Sequence, residues 1–206
     1  MAGVEDPRTA ADARWAKAGR YAQGYADNGM GAALRVYYTR YLPLGALAIV
    51  LLLSLLGPIV IPDGPEQVPT LVQAGWFIFA IAALTGGLVY NAQRLKPRVK
   101  LGTDVAITFP LEKDEQKALM RGINGKEPVP ANHLGVARAV AVRSRKDAAT
   151  TLLIVPAYTY FIGQAVGNLD WVYLTFFAAF AVLAVLQVRS FHRQGRFLAA
   201  TAPPGA

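Results

Sequence analysis

The sequence predicts an all-α protein: a four-helix transmembrane assembly of two hairpins, joined by a basic, partly helical cytoplasmic insert. Three observations predict it. Four windows, Tyr41–Ile61, Val72–Tyr90, Thr150–Val166 and Trp171–Val188, are apolar and close to the ~20 residues that a helix needs to cross a bilayer. None of these windows contains Asp, Glu, Lys, Arg or His. The stretch Asn91–Ala148 between the second and third windows is polar and holds 12 of the 21 Lys and Arg residues. The chain therefore divides into a basic, aromatic N-terminal segment (1–40), a first hairpin (41–90), the insert (91–148), a second hairpin (149–188) and a tail (189–206).

Basic residues set the orientation. Arg8, Arg14, Lys17, Arg20, Arg35 and Arg40 precede the first window, and Arg189, Arg193 and Arg196 follow the fourth. The loops Pro62–Leu71 and Gly167–Asp170 hold no base and only the acids Asp63, Glu66 and Asp170. Under the positive-inside rule both termini and the insert are cytoplasmic. The net charge of +8 then follows from membrane anchoring and attraction to anionic headgroups, and calls for no nucleic acid. No apolar leader precedes the first window, which is expected to serve as an uncleaved insertion signal. The richness in Ala, Gly and Arg resembles that of membrane proteins from high-GC bacteria and points to a bacterial inner membrane; no motif names a family.

In the first 40 residues, Trp15, Gly19 and Ala22 share one helical face, with Arg14, Lys17 and Arg20 around it. Asp27-Asn28-Gly29 reads as a turn, and a short helix from Ala32 would bring Tyr37, Tyr38 and Tyr41 to the membrane interface. The first span is a Leu/Ile/Val run in which Gly57-Pro58 predicts a kink or an early stop. In the second span Ala82/Gly86 and Ala83/Gly87 place small residues four apart, the spacing that lets helices approach closely.

The insert opens with a basic collar, Arg94, Lys96, Arg98 and Lys100. Val99, Leu101, Val105, Ile107 and Phe109 alternate with other residues and predict a short extended stretch. Pro110 opens a helix through about Arg121, with acids early and bases late as the helix dipole favours. Asn124-Gly125-Lys126 is a turn. Asn132 is placed to cap a helix over His133–Ala148 that runs on into the third span as one helix of about 30 residues, 45 Å at 1.5 Å per residue. The third span ends in a GxxxG pair, Gly163 and Gly167, and the fourth is rich in Phe and Ala. Trp76 and Arg94 stand at the same separation as Trp171 and Arg189, a weak parallel repeat that converging hairpin patterns also explain.

The residues argue against an enzyme. His133 and His192 lack a second ligand at metal spacing, there is no Cys, and no serine has a base and acid set to activate it. No catalytic, cofactor or metal residues are assigned, and no cofactor is expected. The uncharged spans also argue against ion-coupled transport, which needs an ionisable group at membrane depth. What remains is a non-enzymatic interaction or accessory subunit that pairs with another membrane protein or itself. Its helix-packing residues would be Ala82, Ala83, Gly86, Gly87, Gly163 and Gly167. Its contacts with a partner or with anionic lipid would come from Arg94, Lys96, Arg98, Lys100, Arg138, Arg143, Arg145 and Lys146. The alternative is a small channel or transporter for a neutral or lipid-like solute.

Overall fold

The structure, a computed structural model, describes residues 7–60, 67–95, 107–168 and 171–202. Among them every regular element is a helix: α1 (Pro7–Ala22), α2 (Met30–Val36), α3 (Leu42–Val60), α4 (Gln67–Arg94), α5 (Lys113–Ile123), α6 (Leu134–Ile154), α7 (Tyr160–Asn168) and α8 (Trp171–Ala200). A π-helical turn, Tyr37–Tyr41, joins α2 to α3, and 3-10 turns occupy Ala131–His133 and Val155–Thr159. Among the described residues three helical stretches are long and apolar enough to cross a membrane: Met30–Gly57, Thr70–Arg94 and Trp171–Ala200.

The chain forms two compact units. The first comprises Met1–Asn28, Pro97–Asp147 and Arg189–Ala206; the second comprises Gly29–Lys96 and Ala148–Val188.

In the second unit α3 packs on α4, and α4 packs on both α7 and the 3-10 turn that precedes it. Leucines and isoleucines cover the outside: Leu55 is 72% and Ile59 79% exposed, as side chains that face acyl chains would be. The inside is held by tyrosines. Tyr37 donates to the Ala83 carbonyl (3.3 Å) and Tyr90 to the Ala33 carbonyl (2.9 Å), while Tyr38 donates to the Leu152 carbonyl. The rings of Tyr37 and Tyr41 both meet Tyr90, at 5.3 and 5.4 Å. Tyr37 is thus buried, not displayed at an interface as its position near the start of the span predicts; Tyr41 remains exposed.

α3 runs through Pro58 to Val60, so the helix does not stop at the proline itself. Three local expectations are corrected. Ile107 and Phe109 lie in a turn over 107–110, closed by the Leu111 N–H on the Thr108 carbonyl (3.0 Å); Val99, Leu101 and Val105 lie outside the described residues. The following helix begins at Lys113 and not at Pro110, because Glu112 is extended (φ −70°, ψ 159°) and its N–H is taken by the Glu115 carboxylate at 2.7 Å. The continuous helix of about 30 residues is also not formed. The segment opens with a 3-10 turn in which Asn132 makes no capping bond, and α6 is 21 residues long and ends at Ile154. Pro156 is the reason: it has no N–H for the carbonyl of Leu152, so the backbone tightens into the 3-10 turn. The Tyr38 hydroxyl takes up that carbonyl instead.

In the first unit the N-terminal part of α6 is the central rod. Val136, Ala137, Ala139, Val140, Ala141 and Val142 are all buried, so this part of the helix is enclosed on every side. Leu119 and Ile123 of α5, Phe191 and Leu198 of α8, and Ile107 and Leu111 complete the core. Gln116 fastens the 107–111 turn to α5 by donating to the carbonyls of Thr108 (3.0 Å) and Leu111 (2.8 Å). Gly125, at φ +73°, makes the turn after α5 that Asn124-Gly125-Lys126 predicts.

Candidate functional site

Within the first unit, polar side chains join segments that are remote in sequence. Arg14 of α1 holds Glu112 (3.1 Å) and Glu115 (3.1 Å) at the start of α5. The Trp15 ring stacks on His133, with centroids 3.7 Å apart and planes 5° from parallel. Arg145 of α6 pairs with Asp27, beyond α1, and lies over the Phe191 ring of α8 at 4.4 Å. Gly195 leaves room for this guanidinium, since a Cβ there would lie 3.2 Å from it. Arg138 donates to the Thr201 carbonyl. Gln194, 3% exposed, donates to the hydroxyls of Ser144 (2.6 Å) and Ser190 (2.9 Å). Gln194 Oε1 and Arg145 Nε are buried without a hydrogen-bond partner among the described residues.

The α1–α5 contact is electrostatically tuned. Burial alone would raise the Glu115 carboxyl, but its bonds with Arg14, the Glu112 N–H and Trp15 hold it below its ordinary value. The hydrogen bond to Glu115 correspondingly raises the Arg14 guanidinium. Burial lowers the His133 imidazole against the opposing pull of Glu115 and Asp12. Beside this stack lies a cavity of about 440 Å³ lined by Asp12, Trp15, Gly19, Gln23, Asn132 and His133. A second cavity, of about 390 Å³, lies between the turn after α5 and the end of α8. Among the described residues no cluster of His, Cys, Asp and Glu could hold a metal ion.

The small residues singled out in the sequence divide between two environments in the second unit. Ala83 is buried beneath Tyr37, and Gly87 lies against α6: a Cβ there would be 2.5 Å from the Leu153 carbonyl oxygen. Gly163 lies against the Trp76 ring. Ala82 and Gly86 line an open groove of about 240 Å³ beside Tyr41 and Ile49. Gly167 belongs to α7, and its surroundings lie outside the described residues.

The basic residues divide as well. Arg94 is exposed at the end of α4, and Lys96, Arg98 and Lys100 lie outside the described residues. Arg138 and Arg145 are engaged inside the first unit, Arg143 lines a shallow cavity with Thr108 and Asp147, and Lys146 is also partnered. The sequence reading passed over Arg14, Asp27 and Gln194 as ties, and over Arg193 and Arg196 as cavity-lining cations. The recurrence of Arg189, Arg193 and Arg196 on one face of a helix was the available signal for the last two.

No protein-family model, curated protein or solved structure matches this chain.

Proposed function

We propose that this chain is a non-enzymatic interaction or accessory subunit of a bacterial inner membrane, with its termini and insert in the cytoplasm. The observation that carries this reading is the assembly of the first unit from the N-terminal segment, the insert and the C-terminal end. A loop that only fixed topology would need no Arg14–Glu115 pair, Arg145–Asp27 pair or Trp15–His133 stack. These ties make a preorganised face, which lowers the ordering cost of docking another subunit.

The same observation supports four crossings. A folded unit lies on one side of a bilayer, so the chain between Asp147 and Arg189 must cross an even number of times. α8 accounts for one crossing, and residues 150–168 are left for the other. With its 3-10 turn that segment spans about 31 Å, close to the thickness of the hydrocarbon core. The charge asymmetry, with bases in the insert and acids alone in Pro62–Leu71, supports a cytoplasmic first unit.

The test is the mass and composition of the protein extracted from its native membrane in mild detergent. A discrete complex with a second polypeptide is the expected result. A homogeneous species of this chain alone would favour self-association, and a monodisperse monomer would overturn the reading. A channel or transporter for a neutral or lipid-like solute is the second reading. It is favoured by an apolar groove of about 440 Å³ between α3 and α4, lined by Val50, Leu53, Ser54, Val72, Trp76 and Phe79. Flux of an uncharged solute into liposomes, abolished by Gly75→Leu in the groove wall, would select it.

A further inference from the structure

We propose that the cavity between the end of α5 and the end of α8 is a phosphate-binding site. Arg193, Arg196, Phe197 and Ala200 follow helical spacing along one face of α8 and, with Ile123, Asn124 and Gly125, enclose about 390 Å³. Arg193 and Arg196 are exposed, and neither has a hydrogen bond, ion pair or ring contact among the described residues. This separates them from Arg14, Arg121, Arg138 and Arg145, each of which is bound within the same unit.

Among the described residues no carboxylate lines the cavity. Glu127, the acid nearest in sequence to the turn, is held by Arg121 at 3.0 Å. Two planar guanidinium groups beside one opening suit the oxygens of a phosphate, which accept paired N–H bonds in a way that chloride cannot. Asn124 brings a side-chain amide to the rim, and a Cβ added at Gly125 would meet nothing within 4 Å, so the approach is open. Phe197 gives an apolar wall for whatever the phosphate is esterified to.

The shared chemistry is the phosphate group, which a soluble compound or a phospholipid headgroup could bring. The plain competitor is that Arg193 and Arg196 only complement the negative end of α8, a stabilising role that shows no phosphate selectivity.

The experiment uses the full chain in phosphatidylcholine nanodiscs, titrated with inorganic phosphate against equal ionic strength of chloride. Lipid retention is read in parallel by native mass spectrometry from nanodiscs containing phosphatidylglycerol. The variants are R193Q/R196Q, R196Q alone, and K126Q, which removes a neighbouring exposed charge. Saturable phosphate binding weakened about tenfold or more by R193Q/R196Q, and about twofold or less by K126Q, assigns the site to a soluble phosphate. Phosphatidylglycerol adducts lost in R193Q/R196Q, without saturable inorganic phosphate binding, assign it to a headgroup. Equal losses in R196Q and K126Q, or neither phosphate binding nor adduct preference in the wild type, overturn the proposal. Because both arginines are exposed, the glutamine variants are expected to keep the wild-type melting temperature; R196Q supplies the reading if the double variant does not fold.

Discussion

Gly86 and Gly87 are neighbours in α4, yet their surroundings predict opposite responses to the same substitution. A Cβ at Gly87 would sit 2.5 Å from a backbone oxygen of Leu153, which cannot rotate away; at Gly86 it would meet nothing within 4 Å. Gly87→Ala should therefore destabilise the second unit by about 1–3 kcal/mol, whereas Gly86→Ala should be neutral or stabilise by about 0.5–1 kcal/mol. Denaturation in mixed micelles measures both, and equal effects would remove the close α4–α6 contact from the account. In the first unit His133 and Glu115 both titrate below their ordinary values of 6.5 and 4.5. The unfolded chain then takes up protons before the folded one as the pH falls. Stability should decline from about pH 6.5 downward as His133 is protonated, and decline further below about 4.5 as Glu115 is. His133→Phe keeps a ring for Trp15 and should flatten only the upper part of a melting-temperature profile against pH. An unchanged profile would exclude the stack as its source.

At the scale of elements, Pro156 and Tyr38 form one device. Proline leaves the Leu152 carbonyl without its helical donor, and the tyrosine hydroxyl replaces it. Tyr38→Phe should cost about 1–3 kcal/mol. In a Pro156→Ala background the backbone N–H is restored, so the same change should cost less by at least about half, and a double-mutant cycle reads the difference. Additive costs would mean that the two residues act separately. The pair also marks the limit of what the sequence conveys. Three of the apolar stretches and the Gly125 turn were legible because each depends on a local pattern. Pro156 was equally visible, but whether it would kink a helix or divert it into a 3-10 turn depended on a hydroxyl supplied from Tyr38. Arg14 reaches Glu115 across 101 residues, and no periodicity carries such a pairing. Arg138 and Arg145 read as free surface cations for the same reason: their partners, Thr201 and Asp27, lie in segments that only the folded chain brings near.

The whole molecule follows from the way the first unit is closed. Its three segments alternate along the chain with the two segments of the second unit, so the first unit cannot be completed until the end of the chain has been made. Arg145 is where the closure concentrates, because it holds Asp27 from the N-terminal segment and covers Phe191 from the C-terminal one. Both partners of the ion pair are largely shielded, with side chains 15% and 21% exposed, so replacing Arg145 by Ala should cost about 2–4 kcal/mol. The loss should be felt at both ends of the chain together. Arg121, whose pair with Glu127 is about half exposed (54% and 46%), is the comparison, and Arg121→Ala should cost less than about 1 kcal/mol. Hydrogen exchange on the full chain in nanodiscs separates the cases. In R145A, amides of α1 and of the Arg189–Ala200 end of α8 should exchange faster in parallel, while the α4 amides keep their protection. If α1 alone loosens, the three segments do not form one cooperative body.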